Sequence, residues 1–465
     1  MFHQSRSLRS MVRGVLGAVL LAGSLAGAAG SDPRPDPLAG IVAEALRANL
    51  SYAQERLVER RADAEAREAR ALLLPTVTAQ SRVTRMNDVF DIGTLINPAY
   101  ATLNQLTGTD RFPTDLSLTL PQAHESKLEL VQPLFNETVR ANDALARARR
   151  DGQRAATGAA ARRLAANAQA AYLQQAAARR EVEVYEATLA LVSENQRVTE
   201  RLLEAGRGLP EAVHRARAER AEVEQQLAEA RERALAAARA FNQLLDRPLD
   251  AAIEVVPDSA FDFPLSLSAD EAVAHALAAR EELGQSDASV RATRSARRIA
   301  NAAFIPSLAA VLDYGWQSRD LAFRPSQDYW TASLVLSWRL FDGGGDVARR
   351  SAAGFDRDRA VLARRELAER IALEVRTAHE AASVARAAIA TADARREAAR
   401  RSYTLVQRRF EEGAASTVEL VDARTALTSA ELNRVVTAYR YAIRWVDLER
   451  AAALRDLPSQ KGAHS

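Results

Sequence analysis

Hydrophobic positions divide this 465-residue chain into long stretches with a helical period and two short regions with a strand period. Ile371, Val375, Ala378, Ala382, Ala385, Ile389 and Ala392 recur at alternating steps of four and three, the seam of a coiled coil. Gly and Pro are absent from 41–74, 159–205, 211–247, 355–412 and 414–457. Each stretch is rich in Ala, Arg, Glu, Leu and Gln, all strong helix formers. At the helical rise, a helix over 355–412 spans roughly 90 Å, far beyond an ordinary globular helix. Ala on the seam lets helix axes approach closely, and the surplus Arg and Glu read as solvated faces with i,i+4 pairs.

Period two takes over in 75–135 and 306–341. Trp330, Ala332, Leu334, Leu336, Trp338 and Leu340 point one way; Tyr329, Thr331, Ser333, Ser337 and Arg339 point the other. Leu308, Ala310, Leu312, Tyr314 and Trp316 alternate in the same manner with Ser307, Asp313 and Gln317. The first region is less regular, with Val77, Ala79 and Val83, then Leu128, Leu130 and Leu134, on one side. Pro75 and Pro306 end the preceding helices, because the residue before Pro avoids the α region. The pattern predicts strands at about 76–86, 117–135, 307–317 and 329–341. Residues 86–121, punctuated by Gly93, Pro98, Gly108, Pro113 and Pro121, read as an extended loop. Asn136 and Asp342, where strand gives way to helix, suit N-caps. Strands of this length with aromatics near their ends match an outer-membrane barrel, in which Tyr314, Trp316, Trp330 and Trp338 form an aromatic belt. A soluble hairpin with one buried face shares the period.

The chain also repeats itself. Ala45-Leu46 answers Ala276-Leu277 and Leu74-Pro75 answers Ile305-Pro306, both at offset 231. Leu134-Phe135-Asn136 answers Leu340-Phe341-Asp342 at 206, and Arg201 to Gly206 answers Arg408 to Gly413 at 207. Each copy reads helix, two strands, helix, turn, helix. The expected boundaries are 38–247 and 268–457, joined by 248–267 and followed by a tail, 458–465. Ser268-Ala-Asp-Glu271 is a capping box that opens the second copy. Residues 1–28 read as a secretory signal peptide: Arg6, Arg9 and Arg13, an apolar run from Val15 to Leu25, and Ala26-Gly-Ala28 as cleavage site. Four strands cannot close a barrel, and open sheet edges are not tolerated in lipid. The chain is therefore expected to oligomerise within the membrane, its long helices hanging below as a helical tube.

Composition narrows the chemistry. There is no Cys, which excludes disulfides, thiol nucleophiles and Cys-ligated zinc. The net charge of +3 equals the three Arg of the leader, leaving a neutral mature chain. Lys127 and Lys461 are the only lysines, so Arg carries nearly all the positive charge. The six His are scattered without metal-ligand spacing. No Gly-x-Ser-x-Gly, Walker loop or dinucleotide fingerprint occurs. Gly343-Gly-Gly345 lacks the Lys of a phosphate loop and reads as a strand-to-helix turn. The chain is read as no enzyme, with no cofactor, and energy must come from a partner.

Val131-Gln-Pro-Leu-Phe-Asn136, Ser337-Trp-Arg-Leu-Phe-Asp-Gly-Gly-Gly345, and the segments from Arg201 through Gly206 to Arg217 and from Arg409 through Gly413 to Arg424 resemble the TolC family of bacterial outer-membrane efflux proteins. The resemblance covers about residues 38–455. It implies a mainly α protein with a membrane β-barrel sector, three chains completing a twelve-stranded barrel above a long periplasmic α-barrel. It also implies a passive exit duct across the outer membrane, in contact with outer-membrane lipid and docked by a periplasmic adaptor and an inner-membrane pump. In that family the turns at Gly206 and Gly413 lie at the periplasmic tip and meet the adaptor. Glu419 and Asp422 match the acids that constrict the pore, and their i,i+3 spacing puts them on one helix face. A plain helix C-cap and two solvated acids are the unspecialised readings. The chain departs from the family's lock, holding Phe410 and Ala415 where Tyr and Arg are familiar. Its first copy has Ala212 at the acid position, with Glu211 beside it. Two other readings are a periplasmic coiled-coil scaffold without transport activity and an Arg-rich nucleic-acid binder. The period-two strands oppose the first; the leader and the neutral mature charge oppose the second.

Overall fold

The computed structural model describes residues 38–84, 91–117, 124–318 and 327–457. The expected signal peptide and tail lie outside them. Among the described residues the order is α1 (Ala39–Ala48), α2 (Leu50–Ala71), β1 (Thr76–Val83), α3 (Gly93–Thr107), β2 (His124–Phe135), α4 (Glu137–Glu204), α5 (Pro210–Leu244), α6 (Ala269–Ala279), α7 (Glu281–Ala302), β3 (Ser307–Ser318), β4 (Asp328–Ser337), α8 (Gly345–Glu411) and α9 (Thr417–Ala451). Helices α4 and α8 have 68 and 67 residues, about 100 Å each. Helices α5 and α9 have 35 each.

The strands form one antiparallel sheet in the order β1-β2-β3-β4. Each strand runs on from, or into, a long helix: α2 precedes β1, α4 follows β2, α7 precedes β3 and α8 follows β4. These helices pack in the same order, α2 on α4, α4 on α7 and α7 on α8. Sheet and helices thus make one continuous four-element layer. Its edges are β1 with α2 and β4 with α8. Farther from the sheet, α4 packs on α5 and α9, and α9 on α8.

The seam on α8 does what its spacing demands. Ile371, Val375, Ala382, Ala385 and Ala392 are buried. Ile371, Val375 and Ala382 close a core with Ala272, Ala276, Leu283 and Leu448. A larger core joins α1, α4, α5 and α9 around Tyr172, Phe241 and Tyr439, covered by Phe261 and Phe263 of the connection. With few aromatics in the chain, these rings gather in one core, Phe261 lying 6.3 Å from Tyr172 and 5.9 Å from Tyr439 between ring centroids.

Several expectations need correction. The segment read as an extended loop contains α3, with Pro98 inside the helix. Two asparagines offset the breakers. Asn97 exchanges hydrogen bonds with the backbone of Leu116 (2.8 and 3.0 Å), and Asn104 with that of Phe112 (2.7 and 3.0 Å). The strand expected at 76–86 ends at Val83 among the described residues, and the one expected from 117 is not strand at Ser117. Residues 85–86 and 118–123 lie outside the described set. The last strand ends at Ser337, not 341, because Ser337 pairs with Ser307, the first residue of β3. Beyond it the partner strand has run out, so Trp338 to Phe341 leave the ladder. The opening helix of each half is broken in two, at Asn49 and Arg280, both extended. Asn49 caps α2 by accepting from Tyr52 N–H (2.9 Å). Arg280 turns its guanidinium to Glu282 and Glu374 (2.8 and 2.7 Å). Asn136 caps α4 through Val139 N–H (3.2 Å). Asp342, however, is not the N-cap of α8: Gly343 and Gly344 intervene at φ +70° and +88°. Its carboxylate reaches over this turn to Arg349 (2.7 Å) and, first in effect, the Asp346 backbone N–H, which together hold it below the usual carboxylate range.

Candidate functional site

Pairing register sorts the sheet into two faces, because residues directly opposite on antiparallel strands point the same way. Val77 faces Leu130, Ala79 faces Leu128, Leu128 faces Tyr314, and Leu130 faces Leu312. Tyr314 faces Trp330, Leu312 faces Ala332, Ala310 faces Leu334, and Leu308 faces Leu336. The middle rows of this face are apolar from edge to edge; its polar members are Gln132 toward one end and, toward the other, the Ser81–Ser126 pair, His124, Ser318 and a single acid, Asp328. The face is also open: Trp330, Leu334 and Leu336 are 71%, 72% and 66% exposed. Water would penalise such a surface, whereas hydrocarbon would not. Tyr314, Trp316 and Trp330 gather at one end, Tyr314 and Trp316 edge to face at 5.1 Å. Trp338 lies beyond the other end. The eight steps from Trp330 to Trp338 correspond to about 26 Å of extended chain, comparable with the roughly 25 Å apolar band of a membrane barrel.

The opposite face holds Arg82, Glu125, Lys127, Glu129 and Asp313. Arg82 pairs with Glu125 (2.7 Å), which also accepts from Gln317 and Tyr329 (3.1 and 3.0 Å). Lys127 donates to Glu129 and Asp313 (2.7 and 3.0 Å), and Thr331 donates to Asp313 (3.1 Å).

The far ends of the long helices carry two turns. Gly206 and Gly413 sit at φ +66° and +75°, where a side chain is strained and Gly is not. Both close a helix in the same way. Arg207 and Gly206 N–H donate to Leu202 and Leu203 carbonyls (2.9 Å each). Ala414 and Gly413 N–H donate to Arg409 and Phe410 carbonyls (2.7 and 3.0 Å). Phe410 thus serves the turn through its backbone, and Ala415 is half-buried beside it. A Cβ on either glycine would meet nothing within 4 Å, so the space around both is open to a partner.

Glu419 and Asp422 are both exposed on the first turns of α9. Glu419 does structural work as well: Ser416 N–H donates to its carboxylate (2.7 Å), and Glu419 N–H donates to Ser416 Oγ (3.2 Å). The Ser416 backbone N–H, then its hydroxyl, hold the Glu419 carboxyl below the ordinary range.

One residue here was not singled out by the sequence pattern alone. Arg424 is the largest fully buried side chain. Its Nε donates to Glu219 on α5 at 2.9 Å, and Nη2 donates to the same oxygen. The other Glu219 oxygen is buried without a partner. The signal was present: Leu420, Arg424 and Leu427 step by four and three, which places an arginine on the apolar seam. Thr188 and Thr428 add a contact of 3.2 Å between α4 and α9.

The family model of the outer membrane efflux protein matches residues 272–454. Among solved structures, CusC, described with transmembrane channel formation, superposes with a TM-score of 0.74 at 17% identity, covering 89% of this chain and 91% of that one. A membrane protein from Pseudomonas aeruginosa gives 0.72 at 22% identity, covering 90% and 93%. The Campylobacter jejuni CmeC outer membrane channel gives 0.72 at 19%, covering 90% and 85%. At these identities the likeness is one of fold. A comparison with curated proteins finds no match.

Proposed function

We propose that this chain, which over residues 272–454 belongs to the outer membrane efflux protein family, is the outer-membrane exit duct of a tripartite efflux or type I secretion system. The observation that carries the proposal is the sheet: an exposed apolar face, a charged face, and two open edges. In lipid each unpaired backbone group on β1 and β4 costs several kcal/mol. Copies joined edge to edge remove that cost. Three copies give twelve strands, an even number within the range of bacterial barrels, and the same operation sets α2 of one chain beside α8 of the next. We read the chain as two copies, 38–247 and 268–457, each contributing a hairpin to the barrel and a helical hairpin to the periplasmic tube.

The turns at Gly206 and Gly413 serve as the contacts for a periplasmic adaptor, itself coupled to an inner-membrane pump. Glu419 and Asp422, repeated by threefold symmetry, ring the aperture with carboxylates and favour cations there. Arg424 and Glu219 tie the α8–α9 hairpin to α5 about two turns above the tip, where Phe410 and Ala415 supply no side-chain lock. Tyr314, Trp316, Trp330 and Trp338 mark the membrane boundaries.

The test is membrane fractionation, then the mass of the detergent-extracted species. Three chains in an outer-membrane species, conducting ions in planar bilayers, is the expected result. A species soluble without detergent would leave a periplasmic scaffold in place of a duct.

A further inference from the structure

Every charged residue in the interior of the sheet lies on one face, and its balance is unequal. Arg82 and Lys127 stand against Glu125, Glu129 and Asp313, a net charge of −1 per chain. Glu129 and Asp313 are directly paired across β2 and β3, where like charges repel. Lys127, the one lysine among the described residues, sits between them at 2.7 and 3.0 Å. Gly315 opposite Lys127 makes room for this arrangement: a Cβ there would lie 2.5 Å from the Ser126 carbonyl oxygen and 2.8 Å from Lys127 Cβ. A chain whose positive charge is otherwise almost all Arg thus places its lysine beside a glycine, between two acids, on the face turned from lipid.

We propose that Glu125, Glu129 and Asp313, partly offset by Arg82 and Lys127, form a cation-favouring charge girdle inside the membrane barrel, separate from the helical tip, with Lys127 setting its strength. The inference rests on the duct reading above. In a trimer the girdle carries three net negative charges. Twelve strands about 4.8 Å apart, tilted about 40°, close at a backbone radius of roughly 12 Å. The Debye length is about 10 Å at 0.1 M and 30 Å at 0.01 M. Wall charges therefore act across the whole lumen in dilute salt, and hardly at all at 1 M.

The test measures reversal potentials across a salt gradient for the full-length chain in planar bilayers, in dilute and in 1 M salt. Glu129→Gln with Asp313→Asn turns the girdle from −1 to +1 per chain, and Lys127→Met turns it to −2. Both are also made with Glu419→Gln and Asp422→Asn, which remove the tip acids. The expected result in dilute salt is a cation-to-anion permeability ratio lowered about two- to threefold by the acid pair and raised by Lys127→Met. Both shifts should vanish at 1 M and persist without the tip acids. If the acid pair fails to assemble, the opposite shift from Lys127→Met decides alone. Conducting trimers with unchanged ratios, or shifts that need the tip acids, would overturn the girdle and leave the duct standing. A native chain that never conducts would overturn both.

Discussion

Gly206 and Gly413 close their helices with the same left-handed residue and the same pair of backbone bonds, yet the segments that leave the two turns diverge. After Gly413 come the Ser416–Glu419 capping box, the exposed Asp422 and the buried Arg424. After Gly206, α5 starts at Pro210 with Leu209 as N-cap and no side-chain cap. At the repeat offset, Ala212 stands for Glu419, Arg215 for Asp422 and Arg217 for Arg424. Even the shared arginine differs in setting. Arg217 is 57% exposed and pairs with Glu200 of its own hairpin at 2.8 Å, whereas Arg424 is 2% exposed and reaches Glu219 of the other hairpin. One backbone turn is used twice, but a capping box, the exposed acid Asp422 and a buried arginine follow only the second.

The largest effect should separate these two arginines. Arg424→Ala leaves Glu219 buried and unpaired, a loss of about 3–5 kcal/mol. Arg217→Ala removes an exposed pair contributing about 0.2–1 kcal/mol. Thermal unfolding of the extracted protein should show a clear fall for the first and little for the second. Arg424→Met with Glu219→Leu should recover most of the loss by replacing ions with packing. Conductance of Arg424→Ala channels should rise, since the α8–α9 hairpin loses its tie. Equal unfolding shifts for both arginines would mean that burial of Arg424 does not distinguish the hairpins.

The glycines should then behave alike. A left-handed residue with a Cβ costs about 1–2 kcal/mol, and neither site has atoms close enough to add a clash. Gly206→Ala and Gly413→Ala should therefore destabilise equally, while adaptor binding falls with either. A loss of binding to one alone would show that the adaptor reads one hairpin, and would sharpen the asymmetry.

Ser416→Ala comes next. It removes an N-cap contributing about 1 kcal/mol, and Leu209 offers no equivalent group to remove. The loss should appear as fraying of the start of α9, measured by amide exchange at Leu420 and Val421, with α5 unchanged.

The helical layer was legible because its signals are long and repeated. The α8 seam names its inward face, with five of seven positions buried and Ala378 and Ile389 half-buried, and the paired landmarks at Pro75 and Pro306 give identical ends, with Leu74 and Ile305 N–H donating three residues back (2.9 and 3.0 Å). Strand faces were legible too, since period two fixes them, except at the end of β2, where a register shift between Pro133 and Phe135 pairs Phe135, not Leu134, with Leu308. The features that escaped depended on partners beyond the local period. The end of β4 is set by where β3 begins, α3 is held by asparagines reaching Phe112 and Leu116, and Arg424 is explained by a glutamate 205 positions away. A charge on a seam was a visible anomaly, but its partner was not.

The smallest effect concerns acid. Ser416 N–H and Oγ hold the Glu419 carboxyl below its ordinary value. The group is therefore ionised in the folded chain over a pH range where an unfolded glutamate would already take up protons. A depressed carboxylate adds stability above the unfolded pKa and loses it as pH falls through the folded one. The Ser416–Glu419 contribution should accordingly be constant from neutral pH to pH 5 and fade only below the usual glutamate range. Because the same carboxylate faces the proposed aperture, the part of the cation preference removed by Glu419→Gln should hold constant to pH 5 as well. Ser416→Ala deletes the hydroxyl that helps depress this pKa, so it should move the acid limb of the conductance curve upward in pH. A limb that stays in place after Ser416→Ala would separate the capping role of Glu419 from its role at the pore.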